Sequence, residues 1–161
     1  MNDLNFYETD AATGLEYIKE SLESGATVPL TVTGSSMMPL LKPHRDIVWL
    51  ERCGDGDIKK GAILLFERRN GKPVLHRVIK IRNNELTMNG DAQSQSEKIE
   101  KKQVVACVKK IERNGKIIDI GNKRLKAWDG LWRVTRPIRP ILIKIKNCKA
   151  NRGNNDEVRN V

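Results

Sequence analysis

Three asparagine-bearing pairs constrain this chain most: Asn70-Gly71, Asn83-Asn84 and Asn114-Gly115 each separate short runs of aliphatic and β-branched residues. Asn and Gly adopt positive φ at little cost, so such pairs close tight turns between antiparallel strands. Runs of this length between such turns are too short for stable helices and read as strands, at 62–68, 73–82, 85–89, 103–111 and near 116–120. Two more strand-like runs, 28–33 and 46–51, precede them. Ahead of these, Leu15, Ile18 and Leu22 recur at helical spacing behind a Thr9 or Asp10 cap, with Glu16, Lys19, Glu20 and Glu23 on the polar side. Gly25 ends that helix. The expectation is a mostly β protein: an N-terminal helix over 1–27 and a β domain over 28–120. Gly54-Asp55-Gly56-Asp57 lacks the spacing of a calcium loop and reads as a surface turn.

Charge divides the chain unevenly. Residues 1–100 hold 13 Lys/Arg against 15 Asp/Glu, and residues 101–161 hold 17 against 5. Beyond Asp119 the β texture stops, and Leu125, Trp128, Leu131 and Trp132 return to helical spacing before Pro137 and Pro140. Residues 121–150 are therefore expected to form a basic, amphipathic helical appendage, and 151–161 a disordered tail. Three readings of the appendage stay open: a cover packed on the β domain, an interfacial helix touching anionic membrane through 123–149, or a nucleic-acid contact. Aromatic residues make up only 4% of the chain, which disfavours the last.

Cys53, Cys107 and Cys148 are odd in number and widely spaced, which predicts free thiols in a reducing compartment and neither a disulfide framework nor a zinc site. The start lacks the basic and apolar regions of a signal peptide, and no apolar run approaches the roughly 18–20 residues of a membrane span. A cytoplasmic protein, at most peripheral to a membrane, is expected, with no metal and no cofactor.

Chemistry is concentrated in few residues. His44 follows Pro43 in a polar loop and reads as a surface residue. His76 sits within Val74-Leu75-His76-Arg77-Val78-Ile79, where alternation puts it on one face with Val74 and Val78, and Arg77 on the other. Such a histidine is either a hydrogen-bonded core residue or a general base. Lys80, four residues on, would need desolvation to serve as a base. Serine needs a neighbour to take its proton, and Gly34-Ser35-Ser36 supplies serines in a small-residue turn.

Ser36-Met37-Met38-Pro39 resembles the S-M-x-P nucleophile box of type I signal peptidases and their relatives among the S24/S26 serine peptidases. Asp46-Ile47-Val48 follows as the family's G-D-x-V segment does, with Arg45 in place of the glycine. Lys60-Gly61-Ala62-Ile63-Leu64-Leu65-Phe66 resembles K-x-G-D-I-V-x-F, with Ala62 in place of the aspartate. Leu75-His76-Arg77-Val78-Ile79 resembles the box carrying the histidine base in the endoplasmic-reticulum-type branch, and Asn89-Gly90-Asp91 the start of the last box. The boxes span residues 28–111 in the family's order. The resemblance implies a small domain of coiled β-sheets, of the signal-peptidase and repressor-protease kind. It also implies a serine endopeptidase acting on a peptide or precursor, with Ser36 as nucleophile, His76 as base and Asp91 orienting His76. Met37 and Met38 become implied substrate contacts, and the Ser36 N–H an oxyanion donor. Many relatives have a second donor side chain two places before the nucleophile; here Gly34 stands there, which leaves Ser35, Thr33 or a backbone amide. The box's second acid has no direct counterpart, since Gln95-Ser96 lie there and Glu97 is one place on. Only 35 residues precede Ser36, too few for the DNA-binding domain of self-cleaving repressors. The alternative is a catalytically inactive binding module that keeps the fold and a basic membrane- or nucleic-acid-binding tail.

Overall fold

The computed structural model describes residues 11–54, 56–122 and 130. The Thr9/Asp10 cap, Cys148, nearly all of the appendage and the 151–161 tail lie outside the described residues. One helix, α1 (Ala11–Glu23), precedes eight strands: β1 (Val28–Thr31), β2 (Asp46–Glu51), β3 (Ile63–Glu67), β4 (Pro73–Arg82), β5 (Glu85–Asn89), β6 (Glu97–Glu100), β7 (Val104–Arg113) and β8 (Lys116–Asp119). Leu15, Ile18 and Leu22 bury the apolar stripe of α1, and Gly25, at φ +82, ends it. That conformation is open to glycine, and it lets the Ala26 N–H reach the Ser21 carbonyl.

All strand pairings are antiparallel, in the order β1-β2-β7-β3-β4-β5-β6. β7 is the hub: β2 runs along one edge, while β3 and then β8 share the other. The three asparagine turns form as expected, with positive φ at Gly71, Asn83, Asn114 and Gly115. Strand β6 was not expected. Its sequence, Glu-Lys-Ile-Glu, offers one apolar side chain, Ile99, and so shows no alternation.

The sheet has apolar packing on both faces. Ile63 and Leu65 of β3 join α1, Val48, Leu50, Ala106, Val108 and the buried residues of the 32–41 loop. Leu64 and Phe66 point the other way, into Val78, Leu86, Met88, Ile99 and Cys107. That is why β3 is buried along nearly its whole length. Among the described residues, no helix is long and apolar enough to cross a membrane.

The cysteines depart from expectation. Cys53 and Cys107 form a disulfide with Cα atoms 5.3 Å apart. Spacing along the chain said nothing about register. Glu51, the last residue of β2, lies opposite Cys107, so Cys53 arrives beside it two residues later. The bond closes a loop across a sequence separation of 54 residues.

Asp46, fully buried, ties the start of β2 to the end of β7. Its oxygens accept bonds from Arg45 (2.8 and 2.7 Å), Arg113 (3.0 and 3.2 Å) and the Lys42 N–H (2.8 Å). Burial pushes this carboxyl up, but the two guanidinium groups and the amide outweigh burial and hold it at about 2.

Two stability predictions follow from these anchors. Asp46→Asn should cost about 2 kcal/mol at neutral pH in urea unfolding, the free-energy equivalent of its depressed pKa. Because that pKa lies below the unfolded value, the contribution should be complete above about pH 4 and be lost as pH falls toward 2. Reduction of Cys53–Cys107 should cost about 4 kcal/mol on loop-closure grounds, read as a lower urea midpoint in reductant.

Candidate active site

Ser35 and Ser36 sit in the loop from β1 to β2, which folds back on itself through bonds from the Met38 N–H to the Ser35 carbonyl (3.1 Å) and from the Leu41 N–H to the Met37 carbonyl (2.9 Å). Ser35 is exposed and Ser36 half-buried. The segment after β5 grips the β1–β2 loop from the side, since the Ser36 carbonyl accepts the Ala92 N–H at 2.8 Å. A Cβ on Gly90 would lie 2.7 Å from that same carbonyl oxygen. Glycine is needed there for close backbone approach. At Gly34, by contrast, a Cβ would meet nothing within 4 Å.

Strand β4 carries His76 opposite Leu64, which in turn faces Cys107 on β7. The imidazole is 2% exposed and packs against Phe66, with ring centroids 6.0 Å apart. Ser35, Ser36 and His76 line one cleft of about 470 Å³, together with Leu30–Gly34 of the β1 end, Leu65, Arg68, Lys72–Leu75 and Gln93. Two chain segments forty residues apart thus meet in one concavity.

The acidic partners differ from those the resemblance implies. Asp91 receives a two-point fork from Arg77, Nε to Oδ1 at 2.9 Å and Nη2 to Oδ2 at 2.7 Å, while Arg77 Nη1 also donates to the Gly61 carbonyl (3.0 Å). Both side chains are buried, so this pair locks the segment after β5 to the turn before β3. Asp91 is the partner of Arg77, the neighbour that alternation sends to the other face of β4. The carboxylate against His76 is Glu97 of β6, with Oε1 3.0 Å from Nδ1. The contact is close but poorly aligned, and Nδ1 makes no well-directed hydrogen bond. Such bonds often tighten only when substrate is bound. Glu97 is itself held by Arg68, Nε to Oε2 and Nη2 to Oε1, both at 2.7 Å.

Burial lowers the His76 pKa below the ordinary histidine value; Glu97 opposes this and Arg68 reinforces it. The shift favours the neutral form of the ring. Glu97 in turn is held below the usual carboxylate range, first by its bonds from Arg68.

The remaining assignments are mixed. Met37 is 1% exposed and packed in the core, so it forms cleft floor and core more than a substrate contact. Met38 is half-buried and does not line the cleft. His44 is exposed, as expected. Glu97 lies on the one strand that the sequence pattern failed to show; only its nearness to the box's second acid hinted at it. Among the described residues no group of three His, Cys, Asp or Glu side chains could hold a metal ion. Neither the known protein-family models nor the curated proteins contain a match to this chain.

The glycine contrast is testable. Gly90→Ala should destabilise by roughly 1–3 kcal/mol, because the new methyl displaces the Ser36 backbone. Gly34→Ala should leave thermal unfolding nearly unchanged. Equal unfolding temperatures for the two variants would contradict the contact.

Proposed function

We propose that the chain is a serine endopeptidase of the signal peptidase-like class, cleaving a peptide or leader-type precursor. The observation that carries this reading is the meeting of Ser36 and the buried His76 in one cleft, with Glu97 behind the imidazole. In this mechanism His76 takes the Ser36 Oγ proton as Oγ attacks the peptide carbonyl. The tetrahedral oxyanion is met by the Ser36 N–H and a donor from the Thr33–Ser35 segment. His76 then returns the proton to the leaving amine, and a water activated by the same base releases the acyl group. Glu97 replaces Asp91 as the group that steadies the imidazolium formed in the transition state.

The resemblance in box order and the antiparallel β architecture both support a fold of the signal-peptidase kind. Gly34, with no side-chain donor, favours the competing reading of an inactive module with the same fold. A cytoplasmic location loses the support it drew from free thiols, since two of the three cysteines are paired. Contact with anionic membrane through 123–149 concerns residues outside those described.

Intact-mass analysis of peptide and precursor libraries incubated with wild type, Ser36→Ala and His76→Ala decides between the readings. Cleavage should fall on the order of 10⁴-fold or more in each variant. Cleavage that survives Ser36→Ala would refute the mechanism, and no cleavage by wild type would favour the inactive module. Because His76 titrates below the ordinary histidine value, the acid limb of kcat/KM should also lie below it, with activity lost as pH falls through that limb.

A further inference from the structure

We infer that Arg68 is a positioning residue for His76, fixing Glu97 against Nδ1 and cancelling that carboxylate's pull on the imidazole proton. The inference rests on the peptidase reading of the cleft and deepens it. The geometry is a three-group chain. Arg68 takes both oxygens of Glu97 at 2.7 Å, and Oε1, one of those two, is the atom 3.0 Å from His76 Nδ1. A planar fork of this kind sets the rotation of a carboxylate as well as its distance. β6 is a four-residue edge strand whose Glu97 is part-exposed, and the Arg68 fork keeps the carboxylate turned toward the ring.

The charge arrangement gives the fork a second consequence. The charges that act on His76 are Glu97 from β6, Arg68 just after β3 and, more weakly, Asp91 from the segment after β5, which is bonded to Arg77 across β4. Lys72, just before β4, lines the same cleft; on β3, Phe66 packs against the ring and Leu64 is the cross-strand partner of His76. A lone Glu97 beside the ring would favour the imidazolium and so oppose the effect of burial, which favours the neutral form. With Arg68 forked onto it, the carboxylate can orient Nδ1 while the ring stays neutral.

The experiment uses the full chain as wild type, Arg68→Gln and Arg68→Lys, with thermal unfolding recorded for each. Two readouts are taken: the pH profile of kcat/KM on a cleaved peptide, and the titration of the His76 ring signal by NMR in a Ser36→Ala background. His44→Gln assigns the two histidine signals. Arg68→Gln should raise the His76 midpoint and the acid limb together, so that kcat/KM on that limb falls about threefold or more relative to its plateau. Arg68→Lys keeps the charge but loses the fork, and should restore the midpoint while leaving the plateau rate reduced. An unchanged midpoint in Arg68→Gln, or a wild-type plateau in Arg68→Lys, overturns the inference; if Arg68→Gln does not fold, the Arg68→Lys plateau decides. A wild type that cleaves nothing defeats the peptidase reading instead, and the NMR midpoints then judge the Arg68 coupling separately.

Discussion

Two adjacent polar side chains at the buried centre of one strand govern this structure. His76 and Arg77 follow each other on β4, point to opposite faces, and are each only 2% exposed. Neither can be left without a partner at that depth without a cost of several kcal/mol. Both partners come from the single stretch after β5: Asp91 takes Arg77 on one face, and Glu97 reaches His76 on the other. Burying β4 therefore requires that stretch to wrap around it. The wrapping is also what presses Gly90 and Ala92 against the Ser36 backbone. One solution to a burial problem thus assembles the cleft.

The β1–β2 loop is held at its other end by a separate anchor. Arg113 of β7 donates to the Leu40 carbonyl at 2.7 Å as well as to Asp46, and Asp46 accepts the Lys42 N–H. Between these bonds and the grip on the Ser36 carbonyl, the loop has both ends fastened, and Met37, Leu40 and Leu41 are sunk in the core beneath it. The Cys53–Cys107 bond reinforces the same β2–β7 junction one end further along.

What could be read in advance follows from the range of the interactions involved. The asparagine turns, the Gly25 stop and the stripe of α1 each depend on a few consecutive residues, so they were legible. So was the placing of His76 and Arg77 on opposite faces, a direct result of the strand period. Met37 was not: in an irregular loop no period predicts where a side chain points, and it went into the core. Glu97 was missed for a related reason, because Glu-Lys-Ile-Glu becomes a strand only by pairing with β5.

By itself, then, the sequence determined where the chain turns, which stretches other than β6 extend, and that serine and histidine were there as residue types suited to acyl transfer. Only the tertiary structure decided which carboxylate pairs with His76 and which with Arg77, and that Cys53 meets Cys107, and it alone brought Ser36 and His76 into the same cleft. The division has one cause. Backbone φ preferences and side-chain periods act between neighbours, whereas ion pairs and disulfides depend on strand register, and here register is set by β7 and by the burial of β4, across dozens of intervening residues.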